Sequence, residues 1–243
     1  MKTNRTKIAL ITGGNRGLGW VVANQLTLQG FQVYIGVRDI QRSAAAFDKF
    51  EKKERIHMLQ IDMENPATFE QAYQTIEREA GYLDLLINNA GVMLDGDLMK
   101  DSTTTIDPAI LRSTFSVNFF GVVLLTNQML PLLLKSESPR IVNVSSQMGS
   151  LQLHAQKAIP AKTFAYNASK AALNAYTIHL ANALEDQGIK VNAAHPGWMQ
   201  TDMGGKYAPM TALEGAETIL DLATLEQSGP TGKFLHKSQE IMW

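Results

Sequence analysis

The sequence predicts an α/β fold: a single-domain, doubly wound parallel sheet of about seven strands with helices on both faces. Three observations predict it. Short apolar runs alternate with longer helical stretches along the whole chain, the pattern of βαβ units whose sheet is covered on both sides. Glycine, proline or asparagine marks most of the junctions. The length of 243 residues fits one large α/β unit, and no repeat, low-complexity tract or linker divides it. Residues 1–243 therefore read as one domain.

The elements follow in order. Residues 7–12 are a short apolar run closed by glycines, as in a buried strand. Residues 17–29 have helical spacing and stop at Gly30. Residues 32–37 form a second strand, followed by a polar helix over about 42–53. Residues 56–61 form a third. Asn65-Pro66 opens a helix to about Ala80, with proline at its first position and Gly81 past its end. Residues 83–87 form a fourth strand, and a loop rich in Asp, Ser and Thr covers 93–105. Asp107-Pro108 starts a long helix to about Leu134. Its apolar region, 115–134, is broken by Asn118, Thr126, Asn127, Gln128 and Pro131, so it reads as a buried helix of a soluble fold. A fifth strand at 140–144, a second long helix at about 163–186 and a sixth strand at 190–194 come next. Thr211-Ala212-Leu213-Glu214 is a capping box for a helix to about Leu225, and 233–235 is the last strand.

Composition narrows the function. The chain is 45% hydrophobic and 19% charged with a net charge of −1, which excludes global disorder. It lacks the basic excess or stripe of a nucleic-acid binder. It has no cysteine, hence no disulfide, thiolate nucleophile or Cys-held metal. His57, His179 and His236 lack partners at metal-ligand spacing, so no metal site is expected, and His195 before Pro196 reads as structural. The polar start and the short apolar run after it are not a signal sequence, and no stretch reads as a membrane span. A cytoplasmic protein is the expectation.

The first strand runs into Thr12-Gly13-Gly14-Asn15-Arg16-Gly17-Leu18-Gly19 and then a helix. Free N–H groups and the positive dipole end of that helix suit phosphate, and glycines let the backbone approach it. The spacing is neither G-x-G-x-x-G nor a P-loop; a tight βα turn without ligand is the bland alternative. A Rossmann-type dinucleotide site would also need a residue for the adenosine ribose after the second strand. Val37 stands where an acid would select NAD, and Arg38 follows, with Arg16 as a second cation. Arginine pairs a 2′-phosphate bidentately, so NADPH is favoured over NADH. Asp39 complicates this, since it could turn inward or pair with Arg38.

Tyr166 and Lys170 lie four apart in a helix and share one face. An ammonium ~4 Å from a phenol at an effective dielectric of ~20 contributes about 4 kcal/mol, roughly three pKa units. That would bring the phenol toward neutrality, where a proton donor works best. Taken alone, a surface helix pair is the simpler reading.

Together these residues resemble the short-chain dehydrogenase/reductase family, most nearly its carbonyl-reductase-like branch. The likeness rests on Thr12-Gly13-x3-Gly17-x-Gly19, Asp62, Asn88-Asn89-Ala90-Gly91, Asn118, Ser145-Ser146, Tyr166-x3-Lys170, Pro196-Gly197 and Thr201, in the family's order. The resemblance implies that residues up to about 145 bind cofactor and that 146–243 carry substrate and catalysis. It implies that Tyr166 protonates a carbonyl oxygen, that Lys170 holds the nicotinamide ribose, and that Ser146, with Ser145 as runner-up, bonds the substrate oxygen. Asn118 would hold a water leading to Lys170; the bland reading is a polar residue satisfied inside a helix. Asn89, Ala90 and Gly91 would lie against the adenosine ribose, and Asp62 with Met63 at the adenine, unless Asp62 only caps the helix near Asn65. Pro196, Gly197 and Thr201 would meet the nicotinamide end, unless Thr201 merely caps a turn. Met148 and Trp198 would border substrate.

Two departures stand out. Ser146 and Tyr166 are 20 positions apart, longer than the family's usual dozen, which marks a short insertion over 147–163. The segment 198–209 is short for a lid, which predicts an open or shallow pocket. The expected protein is an NADPH-dependent reductase of an aldehyde or ketone, reversible as an alcohol dehydrogenase, with a Ser-Tyr-Lys-Asn site. A non-catalytic NADP(H) sensor on the same fold is the competing class, and a methyltransferase a third. The resemblance implies homodimers or homotetramers built on the two long helices, which the insertion could obstruct.

Overall fold

The computed structural model describes residues 5–96 and 103–243. Eight strands form one sheet in the order β3-β2-β1-β4-β5-β6-β7-β8. The strands are β1 (Ile8–Thr12), β2 (Gln32–Val37), β3 (Ile56–Gln60), β4 (Leu85–Asn88), β5 (Arg140–Val144), β6 (Lys190–Ala194), β7 (Phe234–His236) and β8 (Gln239–Glu240). All neighbours pair in parallel except β7 and β8. The eighth, antiparallel strand lies beyond the seven expected; two residues are too few to carry a period.

Alternation along the strands divides the core. Leu10, Leu86, Ile141 and Val191 face one layer with α3 (Ala67–Glu79), α5 (Gly121–Leu133) and α7 (Phe164–Ala183). Ala9, Ile11, Leu85, Ile87 and Val142 face the other, with α1 (Gly17–Leu28) and α8 (Ala212–Ala223). Each fully buried Leu or Ile in these layers contributes about 1.5–3 kcal/mol. A sheet buried on both faces explains why its strands read as continuous apolar runs.

Local signals hold at several ends. Asp107 accepts from Ala109 N at 2.8 Å and starts α4 (Pro108–Phe115), and Thr211 with Glu214 makes the full capping box of α8. Others shift. The polar helix is α2 (Ile40–Phe47), not 42–53, because Asp39 caps it by accepting from Arg42 N at 3.0 Å. Pro66 is itself the cap residue of α3 rather than its first helical position. The insertion contains a short helix, α6 (Leu151–Ala155), capped by Ser150.

The long helix runs Pro108–Leu133 through a π turn at Ser116–Phe120. By length and composition it is apolar enough to cross a membrane, yet its inner residues Val122, Leu125, Met129 and Leu132 pack in the core. It is not buried all round, as its sequence implied: Phe120 and Leu124 on its outer side are about half exposed. Part of the expected loop at 93–105 lies outside the described residues.

Strand order reverses between β1 and β4, so the carboxyl ends of these two strands diverge into a crevice. The motifs of the sequence end there.

Candidate active site

At one wall of the crevice, β1 passes into the glycine loop and α1. Gly13 has φ +67°, a left-handed conformation, and its N–H reaches Gly36 O at 2.8 Å. A Cβ on Gly19 would overlap the carbonyl oxygen of Gly13 and crowd Asn89 Nδ2. This close approach brings the α1 N-terminus against the strand ends. Asn89 Nδ2 donates to Thr12 O at 2.8 Å, while Thr12 Oγ1 accepts from Asn89 N and Ala90 N at 3.0 and 2.9 Å. The glycine loop and the Asn88–Gly91 motif are thus stitched into one surface. Gly17, Leu18, Asn15, Ala90 and Gly91 line the same crevice.

The far end is cationic. Arg38 is exposed just past β2. Asp39 neither turns inward nor pairs with Arg38; it caps α2 and pairs with Arg42 Nε at 3.3 Å. Arg16 pairs with Asp202 across the mouth at 3.0 Å. Asp62 accepts from Glu64 N at 3.1 Å, so its local turn role is real, and it still lines the crevice beside Met63. Arg42 and Ser43 line it too, and Asn15 Nδ2 donates to Ser43 Oγ at 2.9 Å.

The other end carries the titratable groups. Tyr166 and Lys170 project from α7, both buried, with Lys170 Nζ 5.7 Å from the phenol ring centroid. Lys170 Nζ donates to Val144 O at 2.8 Å, which ties it to the end of β5. Ser146 lines the crevice with Tyr166, and its hydroxyl accepts from Met148 N at 3.2 Å, whereas Ser145 donates its hydroxyl to Asn174 Oδ1. Burial pushes the Tyr166 phenol up to about 12, only partly offset by Ser146, and pushes Lys170 down to about 8. The protein's own residues therefore do not bring the phenol toward neutrality as the helix spacing implied. Desolvation exceeds the attraction of an ammonium that is anchored elsewhere.

Asn118 stands in the π turn behind this group. Its Nδ2 donates to Val92 O and Ser169 Oγ, and its Oδ1 accepts from Val92 N. Its side chain is satisfied within the protein, and it fixes the strand end at Gly91, where an added Cβ would lie 3.3 Å from Asn118 Oδ1 and 3.5 Å from Lys170 Nζ. Asp95 also belongs here. Its carboxylate accepts from Ala165 N at 2.7 Å and Tyr166 N at 3.0 Å, capping α7.

Met148 and Trp198 border the outer part of this end, with Met93 and Ile159. Pro196 and Gly197 form its floor beside His195, whose imidazole burial and the nearby His236 hold down to about 4. Thr201 does cap a turn, accepting from Gly204 N at 3.2 Å, and its methyl also faces Gly17. The whole crevice encloses about 1250 Å³. The crevice is open to solvent, as the short lid implied, and not shallow: that volume holds a dinucleotide-sized molecule with room beside it.

Residues 7–212 match the family model for short chain dehydrogenase. The chain belongs to the short-chain dehydrogenase/reductase family. Among its relatives, (+)-neomenthol dehydrogenase of Capsicum annuum is 29% identical over 98% of each chain. The structure of salutaridine reductase from Papaver somniferum matches with a TM-score of 0.80 at 29% identity, over 94% of this chain and 99% of that one. NADPH-bound carbonyl reductase from chicken fatty liver matches with a TM-score of 0.87 at 26% identity, over 98% of this chain and 100% of that one.

For a short-chain dehydrogenase/reductase, sequence reading left out Arg42, Asp95 and Asp202. Arg42 was absorbed into an expected helix whose start was misplaced. Asp95 and Asp202 sit in aperiodic loops, and only the fold brings them to α7 and to the glycine loop.

Proposed function

We propose that this protein is an NADPH-dependent oxidoreductase that reduces an aldehyde or ketone to an alcohol, reversibly. One observation carries the reading: buried Ser146, Tyr166 and Lys170 converge at one end of a crevice whose other end is ringed by Arg16, Arg38 and Arg42.

The residues fit a dinucleotide. The glycine loop brings a helix N-terminus against the strand ends, an approach that a Cβ on Gly19 would block by meeting the Gly13 backbone. Arg38 with Arg16 and Arg42 would take the 2′-phosphate, Asp62 and Met63 the adenine, Asn89 to Gly91 the adenosine ribose. Lys170 and Tyr166 would hold the nicotinamide ribose, with Pro196, Gly197 and Thr201 at that end. When bound, the reduced dinucleotide supplies hydride to the carbonyl carbon.

The chain's own work is polarisation and proton delivery. Tyr166, held protonated at neutral pH, carries the proton that the nascent alkoxide needs. Ser146 would donate to the same oxygen from across the crevice. Lys170, mostly charged at neutral pH, is held on Val144 O at the same end of the crevice, where its ammonium would meet the nicotinamide ribose. Asn118 holds Val92 and Gly91 in register beneath them. Met148 and Trp198 form a mostly apolar wall for the substrate.

The chicken fatty liver protein is a carbonyl reductase bound to NADPH, which supports both the chemistry and the cofactor. The exposed Phe120 at the end of the π turn and Leu124 on α5 support the homodimer or homotetramer reading, which sedimentation would check.

The test is NADPH and NADH oxidation with aromatic ketones, quinones, aliphatic aldehydes and steroids. Turnover with NADPH well above NADH is expected. Tyr166→Phe should lower turnover by about 10²–10⁴-fold while keeping NADPH binding. NADPH binding without turnover on any substrate would favour the sensor reading instead.

A further inference from the structure

Two segments meet over the phosphate end of the crevice. One is the glycine loop. The other is the lid, residues 198–210, which is braced within itself. Met199 and Met210 form a bridge, Trp198 Nε1 donates to Gly204 O at 2.8 Å, and Gln200 Nε2 donates to Ala208 O at 3.0 Å. These contacts brace the segment from end to end. Arg16 Nη1 donates to Asp202 Oδ2 at 3.0 Å and ties this unit to the glycine loop across 186 positions of sequence. Both side chains are about three-quarters exposed, so the pair is weak and exchangeable.

On the reading that the crevice takes NADP(H), we infer that Asp202 is an internal stand-in for the cofactor's 2′-phosphate. Its carboxylate takes the Nη1 donor of a guanidinium that the phosphate would also use. A phosphate dianion offers three acceptor oxygens and twice the charge, so it displaces Asp202 from Arg16. The lid is then untied from the glycine loop. A dinucleotide without that phosphate leaves the tie in place. Asp202 thus sets cofactor preference from outside the phosphate site and couples cofactor type to lid freedom. The same pairing recurs on the opposite side, where Asp39 holds Arg42 at 3.3 Å. There the carboxylate is also a helix cap, which commits it to α2.

The experiment uses the full chain and two fragments that differ only by the phosphate in question, 2′,5′-ADP and 5′-AMP. Calorimetry is run on wild type, Asp202→Asn, Arg16→Gln and the double variant. Asp202→Asn should tighten 2′,5′-ADP about two- to fivefold and leave 5′-AMP unchanged. The gain should vanish in the Arg16→Gln background. Limited trypsin cleavage after exposed Lys206, inside the lid, should quicken with 2′,5′-ADP or with Asp202→Asn, and not with 5′-AMP. An equal shift for both fragments, no shift at all, or a gain that persists without Arg16 overturns the exchange while leaving the dinucleotide reading intact. Failure of wild type to bind either fragment overturns both.

Discussion

Asp95 should matter out of proportion to its place in a surface loop. Helix α7 carries Tyr166 and Lys170, and its cap residue Thr163 makes no side-chain capping bond. The first-turn donors go instead to Asp95, through two charge-assisted bonds of 2.7 and 3.0 Å to Ala165 N and Tyr166 N. Asp95→Ala removes both. Loss of a capping side chain costs about 1 kcal/mol, and loss of a charge at a helix N-terminus about 0.3–1 kcal/mol more. The sum, about 1–2 kcal/mol, lowers Tm by roughly 2–8 °C in a chain of this size. The functional cost should be larger, because one bond holds the backbone of Tyr166 itself. A phenol displaced by ~1 Å loses about 10²-fold in rate. Thermal melts and steady-state kinetics with NADPH test this together. The expected outcome is a lower Tm, a fall in kcat of about 10–100-fold, unchanged NADPH affinity, and partial rescue by Asp95→Asn, which keeps one acceptor. A variant that melts lower yet turns over like wild type would refute the positioning argument.

Two further perturbations test the buried site and the glycine loop. Lys170 has its pKa lowered from 10.5 to about 8, so between these values the unfolded chain binds a proton that the folded one does not, and stability rises with pH across that window. Urea unfolding at pH 8, 9 and 10 should show a stability difference between wild type and Lys170→Met that changes by about 2 kcal/mol, and a flat difference would contradict the burial cost. The raised Tyr166 acts with the opposite sign, and only from about pH 10 to 12. Gly19→Ala should cost about 1–3 kcal/mol and abolish dinucleotide binding, because its methyl meets the backbone of Gly13 rather than a movable side chain. Binding at wild-type affinity would show that α1 can retreat from the strand ends.

What the sequence carried and what it withheld divide along a physical line. The parallel sheet was readable because its strands are buried on both faces, and Leu10, Leu86 and Ile141 leave no polar interruption to confuse the period. Tyr166, Lys170, Ser146 and the glycine loop were readable because each lies on a regular element or at its end, where spacing fixes direction. Ser146 over Ser145 followed only from a resemblance; the structure shows the Ser145 hydroxyl donating to Asn174 Oδ1, a contact no spacing in the sequence encodes. The start of α2 was lost because Asp39 was weighed as turning inward or pairing with Arg38 and not as a cap, although Asp is among the residues most favoured before a helix. The phenol's acidity was misjudged for a related reason. Helix spacing gives the distance between Tyr166 and Lys170, but desolvation depends on everything packed around them, and Val144, contributed by β5, decides where the ammonium sits. Asp95 and Asp202 lie further along the same line. Each acts through a single long-range contact made by a loop, and no period, cap or motif encodes such a contact. The glycine loop and the Tyr166–Lys170 pair are therefore written locally in the sequence, while the contacts that Asp95 makes to Tyr166 N and Asp202 to Arg16 are written only in the fold.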